Sequence, residues 1–338
     1  GLSVTIATPV GLPSSSSADD RSGVRVLSFR RPDGLTALLA SEKPDVVVLQ
    51  HWGLAAELPE LSCPLAIDLA GPHLLERLYW GDPDPDRSLL EKLAALRRSD
   101  FLTCSGHFQR HYFYPFLAQA GWDLRSPGLL PVIPFGVPPT QLTDSEKPLP
   151  AEPVFVYGGA FLAWQDPTRP IEWLLDELDR AGRGRLLFYG GSHPVIDASG
   201  GRFAALTGML NRHPRVEIRS FRPFDQLLDE YRREGTVALD LMARNPEREL
   251  AYTTRTVVYM HCGLPVLYNN YSELSGVIER HGAGWTLDPD DEEGFRAAVR
   301  SVLDGSAPLK EMRGGALAAA AAHDWTRITD PLAAFCAS

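Results

Sequence analysis

The chain is short of lysine, cysteine and long apolar runs, and each shortage removes a class of protein. Lysine occurs only at positions 43, 92, 147 and 310, so arginine supplies most of the 33 basic residues. Against 43 acidic residues this leaves a net charge of −10 and a pI near 5.4. A protein that coats nucleic acid would carry a basic face, so no nucleic-acid partner is expected. The arginine bias reads mainly as genomic composition, although a planar guanidinium also suits phosphate recognition. Cys63, Cys104, Cys262 and Cys336 lie far apart with no Cys-x-x-Cys pair. They signal neither a zinc site nor a disulfide framework, and they fit a reducing cytoplasm. No apolar stretch reaches the roughly 18 residues of a membrane span and no signal peptide opens the sequence. The expected location is cytoplasmic, with peripheral membrane association left open.

What is present is a globular composition, 44% hydrophobic, in a chain of 338 residues. That length exceeds what one core usually supports, so two domains of roughly 150 residues are expected. Val4 to Ala7, Val24 to Phe29, Val46 to Gln50, Leu65 to Leu69, Phe101 to Thr103 and Leu130 to Phe135 read as short buried strands. Leu35 to Ser41 and Arg87 to Arg98 read as helices between them. A proline-rich stretch from Pro138 to Pro153 reads as a linker. Beyond it the theme repeats, with strands at Val154 to Tyr157, Arg185 to Tyr189, Val216 to Arg219, Thr236 to Leu241 and Pro265 to Tyr268. Helices at Pro170 to Arg180 and Phe224 to Arg233 lie between these. The fold class is therefore α/β, two Rossmann-like domains with parallel sheets facing a cleft, and ligands are expected at the carboxyl ends of the strands. The domains are placed at 1–140 and 150–325, with a tail at 326–338. Gly1-Leu2-Ser3-Val4 reads like the approach to a second strand, so either the first βα unit is missing or the first domain is short.

The segment from Glu249 to Leu267 is the most informative. Thr253, Thr254 and Arg255 fall where a helix begins, so hydroxyls, backbone N–H groups and a guanidinium would converge on an anion. Val257, Val258 and Met260 bury the helix, Gly263 ends it, and Pro265, Val266 and Leu267 open a strand. The plain alternative is an α/β crossover whose threonines only cap a helix.

With these residues in view, the chain resembles the GT-B glycosyltransferases, particularly the group that includes the retaining, nucleotide-sugar-dependent enzymes of polysaccharide synthesis. The resemblance rests on Pro44-Asp45-Val46-Val47-Val48, on Ser99-Asp100-Phe101-Leu102-Thr103, on Val132-Ile133-Pro134-Phe135-Gly136-Val137, and on Tyr259-Met260-His261-Cys262-Gly263-Leu264-Pro265-Val266. It implies an acceptor domain followed by a nucleotide-sugar domain, and transfer of a sugar from a nucleoside diphosphate sugar to a hydroxyl of a glycan or small-molecule acceptor. The donor is a co-substrate, and no cofactor or metal is implied. Retaining members carry paired glutamates at the positions held here by Leu250 and Val258, so both carboxylates are absent. Glu247 or Glu249 is left to stand in for the first by a loop shift.

The family binds its donor mainly in the second domain, so the turn Gly158-Gly159-Ala160 is the first candidate for the diphosphate, because glycine lets backbone N–H groups approach closely. Arg255, Thr253, Thr254 and Glu249 complete the donor set, with Arg222 in the turn Ser220-Phe221-Arg222-Pro223 for the nucleobase. Gly190-Gly191 with Ser192-His193-Pro194 is a further candidate loop. In the first domain, His51 and the run from Asp68 to His73 follow buried strands, and His51, Asp68 or His73 has chemistry suited to an acceptor base. His107 and His111 have the spacing of helical metal ligands but no carboxylate partner, so a solvated helix face is expected there. Two other readings remain. One is a non-catalytic GT-B-like module holding a nucleotide, glycan or partner subunit, and the other is a sugar-nucleotide epimerase on the same architecture.

Overall fold

The structure, a computed structural model, describes residues 2–10, 23–31, 33–139, 149–191 and 201–338. The chain divides into two compact units, one of Gly1–Leu74, Pro83–Ile133 and Thr329–Ser338, the other of Leu75–Asp82 and Pro134–Ile328. The residues expected as a C-terminal tail are thus shared, with those from Thr329 onward belonging to the first unit. Part of the expected linker, 140–148, lies outside the described residues.

In the first unit β1 (Thr5–Pro9) pairs in parallel with β2 (Arg25–Phe29). After α1 (Gly34–Glu42), a second parallel sheet forms from β3 (Val47–Leu49), β4 (Leu65–Asp68) and β5 (Phe101–Thr103), in that order. The strands of this second sheet are short apolar runs, as fits a sheet covered on both faces. Between and beyond them come a 3-10 turn (Trp52–Glu57), α2 (His73–Trp80), α3 (Pro85–Arg98) and α4 (His107–Ala120). The start of α3 has a local cause: Pro85 takes the first helical position and the Asp84 carboxylate accepts the Arg87 N–H at 3.0 Å. The expected strand from Leu130 to Phe135 is reduced to an isolated bridge between Val132 and Cys104. Pro131 and Pro134 remove two of the N–H groups that a ladder needs, and Leu130 adopts φ +56°.

The second unit holds β6 (Val154–Ala160), α5 (Thr168–Ala181), β7 (Arg185–Gly191), α6 (Ala204–Arg212), β8 (Val216–Arg219), α7 (Phe224–Glu234) and β9 (Val237–Asp240). It continues with α8 (Pro246–Leu250), α9 (Thr254–His261), β10 (Val266–Asn269), α10 (Glu273–His281), β11 (Gly284–Leu287), α11 (Glu292–Asp304), α12 (Leu309–Ala321) and α13 (Trp325–Ile328). A last helix, α14 (Asp330–Ala337), packs with the first unit, where Phe335 stacks on Phe101 with ring centroids 4.6 Å apart. The six strands of the second unit form one parallel sheet in the order β11-β10-β9-β6-β7-β8. The order reverses at β6 and β9, which are neighbours, so the crevice favoured for ligands lies beyond Ala160 and Asp240.

One buried charge stands out in the first unit. The Lys92 ammonium on α3 is fully buried with no hydrogen-bond partner among the described residues, 3.6 Å from the ring centre of Phe116 and 4.7 Å from those of Tyr112 and Phe113. Burial pushes its pKa down to about 7, while the ring faces favour the charged form. The folded value lies below the unfolded one, so this cost is full below about pH 7 and fades as pH rises toward the ordinary lysine value. Lys92→Met keeps the volume and removes the charge. It is expected to raise the unfolding midpoint, by more at pH 6 than at pH 9, the difference building at about 1.4 kcal/mol per pH unit above pH 7. Urea unfolding at the two pH values measures it.

Candidate functional site

At the crevice Gly159 and Arg255 meet, while Arg222, Glu249 and Thr253 have partners of their own. The Gly158 N–H is taken by the Tyr259 hydroxyl at 2.6 Å, and a Cβ on Gly158 would lie 2.0 Å from the Tyr231 hydroxyl. This glycine therefore makes room for two buried tyrosines. Gly159 differs: its φ is +150°, it is half-exposed, and the Arg255 guanidinium carbon lies 3.0 Å from where its Cβ would be. Only a residue without a side chain lets the guanidinium lie on the loop.

Arg255, the second residue of α9, is held from three sides. Its Nη1 donates to the Tyr157 hydroxyl at 3.0 Å, its Nη2 donates to Gln165 Oε1, and its Nε lies 3.6 Å from Asp240 Oδ1. Asp240 ends β9 and is fully buried, with Oδ2 accepting from the Thr256 hydroxyl at 2.5 Å. Burial raises the Tyr157 pKa against the pull of Arg255, so its hydroxyl stays protonated. Thr254, the first residue of α9, is exposed. Thr253 is buried at the N-cap without capping through its side chain, and its hydroxyl meets that of Tyr268 at 2.9 Å.

The short helix α8 adds a second charged pair. Asn245 caps it by accepting from the Glu247 and Arg248 N–H groups, both at 3.1 Å. Glu247 and Arg248 are buried and joined in a fork, Nε to Oε2 at 2.5 Å and Nη2 to Oε1 at 2.8 Å. Burial pushes the Glu247 carboxyl up, with Arg248 pulling it back. Glu249 is half-exposed and bound to Arg244 at 2.7 Å. The positions of the family's paired glutamates fall on half-buried Leu250 and on Val258, buried within α9. Arg222 lies at the turn after β8, where its Nε donates to Glu230 at 3.2 Å and its Nη1 to the Ser220 hydroxyl at 2.7 Å. Ser192, His193 and Pro194 lie outside the described residues.

In the first unit His51 and His73 come together, with ring centroids 4.1 Å apart at 80° and Trp52 beside both. His51 Nδ1 accepts the Gly53 N–H at 2.8 Å, which fixes its tautomer with the proton on Nε2. Asp68, at the end of β4, accepts from the Thr103 hydroxyl at 2.8 Å, and burial raises its pKa. The next turn passes through Ala70 at φ +47°, and the Ser105 hydroxyl donates to the Ala70 carbonyl at 2.8 Å. His107 meets Arg110 at 2.8 Å and His111 packs on Tyr114. Among the described residues no group of three or more His, Cys, Asp or Glu side chains is placed to hold a metal ion.

No family model matches the chain. A sucrose-phosphate synthase from Thermosynechococcus elongatus matches with a TM-score of 0.70 at 16% identity, covering 99% of this chain and 100% of that one. The fold is GT-B. An alpha,alpha-trehalose 6-phosphate synthase from Burkholderia multivorans gives 0.65 at 15% identity over 89% of this chain and 72% of that one. The pneumococcal O-GlcNAc transferase GtfA, solved with UDP and GlcNAc, gives 0.64 at 12% identity over 91% of this chain and 60% of that one. In sequence, a D-inositol 3-phosphate glycosyltransferase of Catenulispora acidiphila is 26% identical over 158 residues, 47% of this GT-B chain and 36% of that protein. The match thus spans about a third of that curated relative. The structural relatives of this GT-B chain, and its distant sequence relative, are glycosyltransferases.

Four members of the cluster escaped the sequence reading: Asp240, Tyr157, Gln165 and Arg248. Only Asp240 left a trace, as an acid closing the apolar strand Val237–Asp240. Removing one partner of a buried pair leaves the other charge uncompensated. Arg255→Ala is expected to lower stability by about 3–5 kcal/mol, and Asp240→Asn added to it should recover a large part. Urea unfolding of parent, both single variants and the double variant gives the coupling between them.

Proposed function

We propose that the chain is a glycosyltransferase that moves a sugar from a nucleoside diphosphate sugar to a hydroxyl acceptor in polysaccharide or glycoconjugate synthesis. The observation that carries this is Arg255, seated on the bare backbone of Gly159 at the strand-order reversal of the second unit's sheet. In this reading the diphosphate lies against Gly159, Ala160 and the start of α9 at Thr254, with Arg255 matching the charge that grows on the leaving group. Asp240, Tyr157 and Gln165 fix the guanidinium beforehand, so it need not reorganise as the bond breaks. Charge stabilisation is assigned to protein groups rather than to a metal ion.

On the acceptor side the reading assigns the acid–base groups to the paired rings of His51 and His73 and to Asp68 at the end of β4. With its Nδ1 taken by the Gly53 N–H and its proton on Nε2, His51 is a donor that orients the acceptor and His73 packs on it edge-on, while the raised pKa of Asp68 makes that carboxylate a better base than a solvated one. Arg222 is assigned to the nucleobase and Glu249 to the donor sugar, each having to leave its partner Glu230 or Arg244 to reach a ligand. Four free cysteines fit a cytoplasmic setting, with contact to a membrane surface through the acceptor. Among the described residues no helix is long and apolar enough to cross a membrane.

One observation favours a non-catalytic nucleotide- or glycan-binding module instead. Leu250 and Val258 stand where the resembling enzymes place donor-binding carboxylates, and Glu247 is closed into its pair with Arg248. A module that holds a nucleotide shares nucleotide binding with the first reading, a glycan-binding module does not, and only the first reading predicts turnover. With UDP, GDP, dTDP and their common sugar conjugates, one nucleotide class is expected to raise the unfolding midpoint. Ligand at a hundred times Kd contributes about 2.7 kcal/mol. Arg255→Gln should remove the shift, and release of free nucleotide from the matching donor with an acceptor separates enzyme from module. No shift with any nucleotide overturns the donor-site assignment.

A further inference from the structure

The cluster at the crevice contains a group that the reading above does not use. Arg248 is 4% exposed, and its Nη1 is buried without a hydrogen-bond partner among the described residues, while its Nε and Nη2 are both engaged by Glu247. A guanidinium N–H buried without an acceptor is costly, more so than a neutral donor, because a charged group loses more hydration. Here the cost falls on α8, the first element after β9, within electrostatic reach of Arg255, Asp240, Tyr268 and Tyr271. A neighbouring atom shows the same feature with opposite sign, since Asp240 Oδ1 is buried without a hydrogen bond among the described residues and has the Arg255 charge at 3.6 Å. The four charges of Asp240, Glu247, Arg248 and Arg255 sum to zero, so the cluster has no excess positive charge of its own. An entering anion must draw on donors not already satisfied, and Arg248 Nη1 is such a donor.

We propose that Arg248 is a second anion-binding arginine of this site, its Nη1 donating to a phosphate oxygen of the diphosphate while Glu247 holds the other side of the guanidinium. This rests on the donor-site reading given under Proposed function and extends it to a residue outside the loop and the α9 terminus. The two guanidinium groups would take over a task for which this unit has almost no lysine, Lys310 being the lone one after Lys147. The fork with Glu247 fixes the direction of the Arg248 guanidinium. A lysine there would keep the charge but lose the planar double contact that sets its direction.

The test uses the full chain with inorganic pyrophosphate, UDP, GDP, dTDP and the parent nucleosides as probes, in calorimetric titrations and in NMR spectra of arginine-labelled protein. In the parent, the Arg248 guanidinium resonance, assigned by its loss in Arg248→Lys, is expected to shift with pyrophosphate and with the bound nucleoside diphosphate, but not with nucleoside alone. The neutral pair Glu247→Gln with Arg248→Gln avoids stranding a buried charge. It is expected to weaken diphosphate binding at least tenfold and to leave nucleoside binding within twofold. Parental diphosphate affinity in the pair variant, with Arg255→Gln still abolishing binding, overturns the role of Arg248 and leaves the donor site standing. If the pair variant does not fold, an unmoved Arg248 resonance in the saturated parent overturns the role by itself. Absence of binding of every phosphate probe to the parent overturns both.

Discussion

The second unit is organised around the contact of the Arg255 guanidinium with Asp240 at the reversal of strand order. A charge placed there has little water to solvate it, so each donor must find an acceptor nearby. That requirement accounts for the surroundings: Asp240 closes β9, Thr256 steadies the carboxylate from the same helix as Arg255, and Tyr157 and Gln165 take the outer N–H groups. Gly159 belongs to the same set, because any side chain would occupy the guanidinium's place. The glycine, read in isolation, suggests an open loop for a phosphate. In the structure it is one wall of a cage for an arginine, and the cage presents only one edge of that arginine to solvent.

The neighbouring tyrosines follow the same logic. Tyr157, Tyr231, Tyr259 and Tyr268 are each at most 2% exposed, and burial raises all four hydroxyl pKa values. They remain neutral donors and acceptors, so they can satisfy the glycine-loop backbone, the arginine and the Thr253 hydroxyl without adding charge. A polar but uncharged lining of this kind keeps the two ionic pairs from competing with one another.

Much of the fold was legible in the sequence because parallel strands announce themselves as short apolar runs between helical stretches. Leu130 to Phe135 misled for a specific reason: its apolar content fits a strand, while Pro131 and Pro134 withhold the N–H groups that pairing needs. The site was legible in pieces. Gly159 and Arg255 were visible because backbone-approach glycines and helix-start cations have local signatures, whereas the partners that hold Arg255 come from positions as much as 98 residues away along the chain. His51 and His73 were each read from their place after a strand, yet their edge-on contact depends on the turn through Ala70, whose positive φ is set by tertiary packing rather than by residue type. Thr253 shows the reverse case, a helix-start hydroxyl whose partner is another side chain and not an anion or the helix backbone.

The division of the chain into units is interleaved rather than sequential. Leu75–Asp82, carrying the Trp80 ring that packs edge-on against Trp164, belongs to the second unit, and Thr329–Ser338, carrying the Phe335 ring that stacks on Phe101, belongs to the first. During synthesis, therefore, the first unit cannot acquire α14 until the whole of the second unit has been made, and the second has the segment Leu75–Asp82 made ahead of the rest of it. Neither unit corresponds to a continuous piece of the gene. A fragment cut at the proline-rich stretch would take with it one foreign segment and lack one of its own, so neither fragment holds a whole unit.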